Sequence, residues 1–389
     1  MTIPNMTALE AGENNRPTRV LLTSTSYPSD TNDWRGVFIR HMVTALAARD
    51  DIALGVWAPP GPMPLQARDA TTPGERIALA KLMAEGGISH LLRRERIRGL
   101  REAVRLIMGL RRAFRVSPAD VYHVNWLQCA LPLPSDSVPL LVTVLGNDMR
   151  LLELPGIKAA LRRVMRKRKV AICPNADWMA EPLQKVFGTM ALIRTVPFGI
   201  DPRWYDLIRE PSASREWLVV TRLTARKLGP LFRWCEPLFA GHPGRVLHLI
   251  GPMQESVEIP AWVRYHGTAS PDELREKWFP RAAGLLTLSE HDEGRPQVLL
   301  EAMASGLPII ASRLPAHVDL ISHDRDGLIV ESPEELALAL DRLDTEAEND
   351  RMGLAGRASA RLAFGTWADC AARYATLYAT LQTESPHDR

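Results

Sequence analysis

The sequence predicts an α/β protein of two doubly wound parallel-sheet domains facing a cleft. Three observations carry this expectation. Short apolar runs alternate with longer stretches of helical period along nearly all of the 389-residue chain, the pattern of parallel strands joined by crossover helices. The pattern starts afresh after a junction at 199–215. At ~100–200 residues per domain, the length accommodates two to three domains.

The first array opens with a strand at Arg19–Thr25, a polar loop from Tyr27 to Gly36, and a helix over Val37–Arg49, where Phe38, Met42, Val43 and Leu46 recur at helical spacing. A strand at Asp51–Ala58 precedes an irregular, Pro-rich stretch at 59–75 and a basic, largely helical stretch at Arg76–Arg115. Val121–Val124 and Pro139–Val144 read as short strands, Lys158–Arg168 as a basic helix, and Val170–Pro174 and Ile193–Pro197 as further strands. In the second array, strands are expected at Trp217–Thr221, Arg245–Ile250, Val263–His266, Gly284–Leu288 and Pro308–Ser312. Between and after them, helices are expected at Gly229–Phe239, Pro271–Phe279, Pro296–Ser305 and Pro333–Leu343. In such sheets ligands bind at the carboxyl ends of the strands.

Composition narrows the function. The longest apolar runs fall short of the ~18–20 residues of a membrane span. Met1 to Pro17 lacks the basic and apolar segments of a secretory signal. The four cysteines (Cys129, Cys173, Cys235, Cys370) are widely spaced, arguing against a disulfide scaffold or a zinc site and for a cytosolic chain. The first strand-to-helix loop lacks GxGxxG, and the chain lacks a P-loop, HExxH and GxSxG. Net charge is +3, yet residues 1–200 hold 27 basic and 17 acidic side chains, leaving 21 and 28 for the remainder. The first half is thus +10 and the second −7, suggesting that the first domain meets something anionic. No aromatic-interleaved basic motif points to nucleic acid.

Ser289–Ser312, SEHDEGRPQVLLEAMASGLPIIAS, is the most informative segment. Pro296 suits the first helical position, and Gly306 with Pro308 suits the helix stop. The amino end of this helix points unpaired N–H groups into the strand-end cleft, where phosphate or sugar oxygens bind. Glu301 sits among Leu299, Leu300, Ala302 and Met303, so its carboxylate either faces solvent or needs a partner. A ribose cis-diol offers it two hydroxyl donors.

Glu293 and Glu301 enclose seven residues, and the run EGRPQVLLEAMASGLP resembles the E-x7-E signature of retaining family 4 glycosyltransferases with the GT-B fold. Val219–Leu223 with Lys227 is similar to that family's strand followed by Arg-x4-Lys. Pro197-Phe198-Gly199-Ile200-Asp201 resembles its interdomain PxGxD, Asp120-Val121-Tyr122-His123 its DVxH, and Gly146-Asn147-Asp148 the tail of its HGxD. Gly36 matches the glycine of the first strand-helix loop, and Thr366–Leu381 resembles the last helix, which crosses back to the first domain.

The resemblance implies two Rossmann-like domains: 17–198 for the acceptor, with 366–385 packed on it, and 199–365 for the nucleotide sugar. It implies that Arg222 and Lys227 hold a diphosphate, that Glu293 binds donor-sugar hydroxyls, and that Glu301 holds the ribose. The Gly294-Arg295-Pro296-Gln297 backbone would approach sugar and phosphate, with Gly36 also on the donor side and the base near His266 and Gly267. No metal or other cofactor is implied: two cations neutralise the leaving group. Two departures stand out. Leu145 replaces the HGxD histidine, and Asn125 a frequent second one. His123, Asn147 or Asp148 could supply polar contacts instead, though His123 reads equally well as a structural histidine.

The implied activity is retaining transfer of a sugar from a nucleotide-diphosphate sugar to an acceptor hydroxyl, with a lipid-linked saccharide of bacterial cell-surface polysaccharide or lipopolysaccharide as the expected acceptor. Alternatives are another GT-B sugar-nucleotide enzyme of epimerase type, or an inactive sugar-nucleotide-binding protein. The chain is expected in the cytoplasm, peripheral at the inner face of the cytoplasmic membrane. Nine arginines between Arg93 and Arg115 support that placement. On a helix, Arg94, Arg98, Arg101, Arg105 and Arg112 share one face beside an apolar face of Ile97, Leu100, Val104, Ile107 and Met108. An anionic membrane surface is the partner this basicity suggests, with a second basic cluster at Arg162–Lys169.

Overall fold

The computed structural model describes residues 16–30, 33–146, 148–212, 214–291 and 293–383. Two parallel sheets organise it. The first comprises β1 (Thr18–Thr23), β2 (Ile52–Trp57), β3 (Arg68–Asp69), β4 (Val121–Asn125), β5 (Leu140–Val144), β6 (Val170–Pro174) and β7 (Leu192–Ile193), in the order β3-β2-β1-β4-β5-β6-β7. The second comprises β8 (Arg215–Val220), β9 (Arg245–Ile250), β10 (Val263–Tyr265), β11 (Gly284–Thr287), β12 (Ile309–Ser312) and β13 (Leu328–Val330), in the order β10-β9-β8-β11-β12-β13. β4, β5 and β6 are buried along their whole length, which is why they read as mostly apolar runs without hydrophobic–polar alternation. Strand order reverses between β1 and β4 and again between β8 and β11, and a crevice opens at the carboxyl edge of each sheet. Among the described residues no helix is long and apolar enough to cross a membrane.

The expected α/β class with two doubly wound sheets is what forms. Local differences have local causes. The irregular stretch at 59–75 contains β3 and the start of helix α2 (Pro73–Ala84), after α1 (Val37–Ala47). Thr72 and Glu75 close a capping box at the α2 N-terminus, with Pro73 in its first turn. The single helical stretch expected at Arg76–Arg115 is three helices, because the backbone leaves helical dihedrals at Gly87 and Glu95. α3 spans Ile88–Arg94 and α4 spans Arg96–Val116. α4 turns Leu110, Ala113 and Phe114 inward. The strand expected at Ile193–Pro197 is only Leu192–Ile193. The helix expected at Pro271–Phe279 passes into a π-turn at Leu274–Trp278. The helices Ala180–Phe187 and Glu346–Ala363, and β13, were not foreseen.

The closing helix, Trp367–Thr383, buries Trp367, Cys370, Tyr374, Leu377 and Tyr378 in the core shared by β1 and α1. It is also pinned by polar contacts. His123 Nδ1 bonds the Tyr378 hydroxyl at 2.7 Å and His123 Nε2 the Thr143 hydroxyl at 2.8 Å, while Thr143 meets the Tyr374 hydroxyl at 3.0 Å.

Candidate active site

β11 runs into a loop that carries Glu293, and Pro296 caps the helix Gln297–Ala304, which leads to β12. This helix turns Leu299, Leu300, Ala302 and Met303 into the second core. One wall of a cavity of about 290 Å³ is formed by Glu293, Pro296, Gln297 and Glu301. Arg222 and Lys227, just beyond β8, lie on the same cavity with Gly251 and Pro252 beyond β9. Trp34 and Val37 of the first domain also line it. The cavity therefore straddles the two carboxyl edges.

Its charges are arranged for an anion beside polar hydroxyls. Lys227 sits in the turn Ala225–Leu228, whose amino end is capped by the Thr224 side chain. Its Nζ ion-pairs with Glu293 Oε1, and both side chains are largely buried. Burial pulls the Lys227 ammonium down in pKa, and Glu293 partly offsets this. The Ser289 hydroxyl donates to Glu293 Oε1 at 3.4 Å. Arg222 donates to Gln254 Oε1 at 3.4 Å, and its guanidinium lies 5.8 Å from the centre of the Trp34 ring. Burial raises the Glu301 carboxyl to about 8, with Asp201 adding repulsion. Gln297 donates to Gly199 O at 3.2 Å, and its Oε1 is buried without a partner among the described residues.

The other expected site residues distribute differently. Gly36 adopts φ 70° at the start of α1, where a side chain would press on Ser26, and it lies between the two cavity residues Trp34 and Val37. Gly294 is held against the first domain. A side chain there would strike Leu145 O, and one on Gly146 would strike the Gly294 backbone. The Trp178 indole donates to Gly294 O at 3.0 Å. The Arg295 side chain turns away from the cavity into a buried ion pair with Asp319, over the Phe364 ring. Asp319 also accepts from the backbone of Asp177 and Trp178, both at 3.2 Å, so this carboxylate ties the two domains together.

Two expectations need correction. His123 is fully buried with both ring nitrogens bonded, and burial lowers its pKa to about 3, so it anchors the closing helix and makes no sugar contact. Asp148 is buried too, accepting from Leu145 N at 2.8 Å and Leu127 N at 2.7 Å; it shapes the turn. Burial raises its pKa to about 6. His266 bonds His248 at 2.9 Å and packs on Trp278, and Thr268 and Ala269, directly after Gly267, line the cavity, so the segment expected near the base borders it. Asn147 lies outside the described residues. Sequence reasoning missed Trp34, Trp178, Asp319 and His317. His317 is fully buried, donates from Nδ1 to Ser312 O at 2.8 Å, and keeps Nε2 unpartnered among the described residues, within electrostatic reach of Glu293 and Lys227. No local motif marks these four.

Residues 231–345 match the model of a family described as glycosyl transferases group 1. The matched segment contains Glu293 and Glu301, while Arg222 and Lys227 lie just before it. Over 142 residues the chain is 28% identical to D-inositol 3-phosphate glycosyltransferase of Corynebacterium urealyticum, covering 35% of this chain and 33% of that protein. Over 206 residues it is 27% identical to exopolysaccharide phosphotransferase SCO2592 of Streptomyces coelicolor, covering 50% of this chain and 20% of that protein. The aligned parts are thus a third or less of these relatives' lengths. Among solved structures, sucrose-phosphate synthase from Thermosynechococcus elongatus superposes with a TM-score of 0.71 at 16% identity, over 95% of this chain and 100% of that one. The UDP-forming trehalose-phosphate synthase of Burkholderia xenovorans gives 0.66 at 14%, over 95% and 100%. Anabaena HepE in complex with UDP and glucose gives 0.61 at 13%, over 93% and 100%. The group 1 segment therefore sits in a chain with the GT-B fold.

Proposed function

We propose that this protein is a retaining glycosyltransferase that moves a sugar from a nucleoside-diphosphate sugar to an acceptor hydroxyl. The observation that carries the reading is the shared cavity wall: two cations, a carboxylate paired to one of them, and a second, half-buried carboxylate without a hydrogen-bond partner among the described residues. The group 1 match and a structural neighbour solved with UDP and glucose support a sugar-nucleotide donor.

Arg222 and Lys227 neutralise the diphosphate. As the anomeric C–O bond breaks, its electron pair goes to the phosphate oxygen, and the growing negative charge is what the two cations stabilise. The acceptor oxygen forms the new bond on the same face and gives its proton to the departing phosphate oxygen. Glu293, oriented by Lys227 and Ser289, receives donor-sugar hydroxyls. Glu301 accepts from the ribose diol, which supplies the donors it lacks. No metal is needed in this scheme, because the cations stand where one would. The epimerase alternative calls for a carboxylate–histidine pair at the sugar; among the described residues lining the cavity none is a histidine, and His317, within electrostatic reach of Glu293, is fully buried and bonded to Ser312. A lipid-linked saccharide is the acceptor we favour, and the chain would meet it at the cytoplasmic face of the membrane.

The test is turnover with a sugar nucleotide and candidate acceptors, reading the anomeric coupling of the product by NMR. A product of the donor's configuration supports the reading. An inverted product, or epimerised sugar nucleotide without transfer, overturns it.

A further inference from the structure

The helix expected to show a basic face exposes an apolar one. Ile97, Leu100, Val104, Ile107 and Met108 of α4 are all exposed, Ile97 at 83% and Met108 at 65%. Their positions fall on one stripe of the helix. The core is reached from a different face, through Leu110, Ala113 and Phe114. Ile77 on α2 is 73% exposed, and a cavity of about 630 Å³ runs between α2 and α4, lined by Ile77, Leu82, Leu106 and Met108. A contiguous apolar surface of this kind is rare on a soluble monomer unless something covers it.

The arginines sort into two groups. Arg98 pairs with Glu85 and with Glu95, Arg105 with Glu102 and Arg112 with Glu75, so much of the expected basic ridge is neutralised within the protein. Arg96, Arg101, Arg111 and Arg115 are exposed and carry no ion pair among the described residues. By helical geometry, Arg96 and Arg101 flank the apolar stripe, while Arg111 and Arg115 extend it by one turn.

We propose that α4 lies flat in the interface of an anionic lipid bilayer, with its apolar stripe inserted and these four arginines at the headgroups. The charge pattern chooses this occupant: a symmetric pairing with a second copy would set arginine against arginine, whereas anionic headgroups complement them. Placement agrees. α4 precedes β4 and runs antiparallel to it, so the stripe from Ile97 to Met108 lies toward the carboxyl edge of the sheet, the edge that faces the donor cavity. At ~1.5 Å per residue the 21-residue helix is ~30 Å long, enough to set the domain's orientation. This deepens the lipid-linked acceptor reading and rests on it only for purpose; the contact itself stands on α4.

The experiment is flotation of the full chain with vesicles of phosphatidylcholine, with or without one-third phosphatidylglycerol, at ~0.1 M and ~1 M salt. The anionic vesicles should capture it, and at ~1 M salt capture should weaken by about tenfold or less, since the apolar insertion is unscreened. Ile97→Asp with Met108→Asp should lower capture at least about tenfold at both salts, ~1.4 kcal/mol per decade. Arg101→Glu with Arg111→Glu should lower it at low salt only. No capture by anionic vesicles, unchanged capture of the aspartate variant, or a dimer in sedimentation that the aspartate variant abolishes would overturn the proposal. Nucleoside-diphosphate binding by calorimetry, with UDP, GDP, ADP and TDP in turn, keeps the two readings apart. In the wild type, absent capture with intact nucleotide binding defeats only the docking, and binding of none of the four with intact capture defeats only the glycosyltransferase reading.

Discussion

Removing the titrating group at Glu301 should change how stability depends on pH. In the unfolded chain this carboxyl titrates near 4.5, and in the folded protein near 8, because burial in the cavity penalises its charge. The folded state thus keeps a proton that the unfolded state releases, and stability falls as pH rises across that window. One proton is worth about 1.36 kcal/mol per pH unit, so from pH 5 to 8 the wild type loses roughly 3 kcal/mol from this group alone, less where cavity water solvates the carboxylate. Glu301→Gln keeps the shape without the titration. The variant should therefore gain on the wild type as pH rises, its melting temperature pulling ahead by about 5–10 °C between pH 5 and 8 at ~2–4 °C per kcal/mol. Scanning calorimetry of both proteins across that range provides the assay. A melting-temperature difference independent of pH would show that the carboxyl is not held protonated, and would remove the desolvated pocket from the argument. Binding supplies the mirror image. A ribose diol donating to the carboxylate requires it ionised, so wild-type affinity for a nucleoside diphosphate should rise toward pH 8 and that of Glu301→Gln should stay flat.

Glu293→Gln should cut turnover about a hundredfold or more while nucleoside-diphosphate affinity, measured by calorimetry, changes little. Arg222→Ala or Lys227→Ala should weaken nucleoside-diphosphate binding about 10–100-fold, at ~1.5–3 kcal/mol per charge-assisted contact, and leave nucleoside binding nearly untouched. EDTA should leave wild-type turnover intact; loss of turnover through removal of a bound metal would contradict the cationic scheme. Asp319→Ala strands the buried Arg295 guanidinium and should cost about 3–5 kcal/mol in denaturant unfolding, and pairing Arg295→Met with Asp319→Leu should recover much of it.

What the sequence reveals is local in origin. The strands β4 to β6 are legible because burial on both faces makes them mostly apolar, β-branched runs, and the helix Gln297–Ala304 is legible from Pro296 and Gly306 at its ends. The cavity residues Glu293, Glu301, Arg222 and Lys227 fall in motifs of short span. Contacts that join distant segments stay hidden. Asp319 binding the backbone of Asp177 and Trp178 bridges more than 140 residues. His123 is chemically suited to a sugar, yet its partner Tyr378 lies 255 residues away. The exposed stripe of α4 misleads for a different reason: periodicity shows that an apolar face exists and is silent on whether protein covers it.

Calorimetric titration of the protein with UDP-, GDP-, ADP- and TDP-sugars tests the central claim most directly. The account predicts saturable binding of one of them, weakened about 10–100-fold on Arg222→Ala and preferring the ribose form over the 2′-deoxy form, with that preference abolished in Glu301→Ala. Binding of none by the folded protein, or equal ribose preference in wild type and Glu301→Ala, would contradict it.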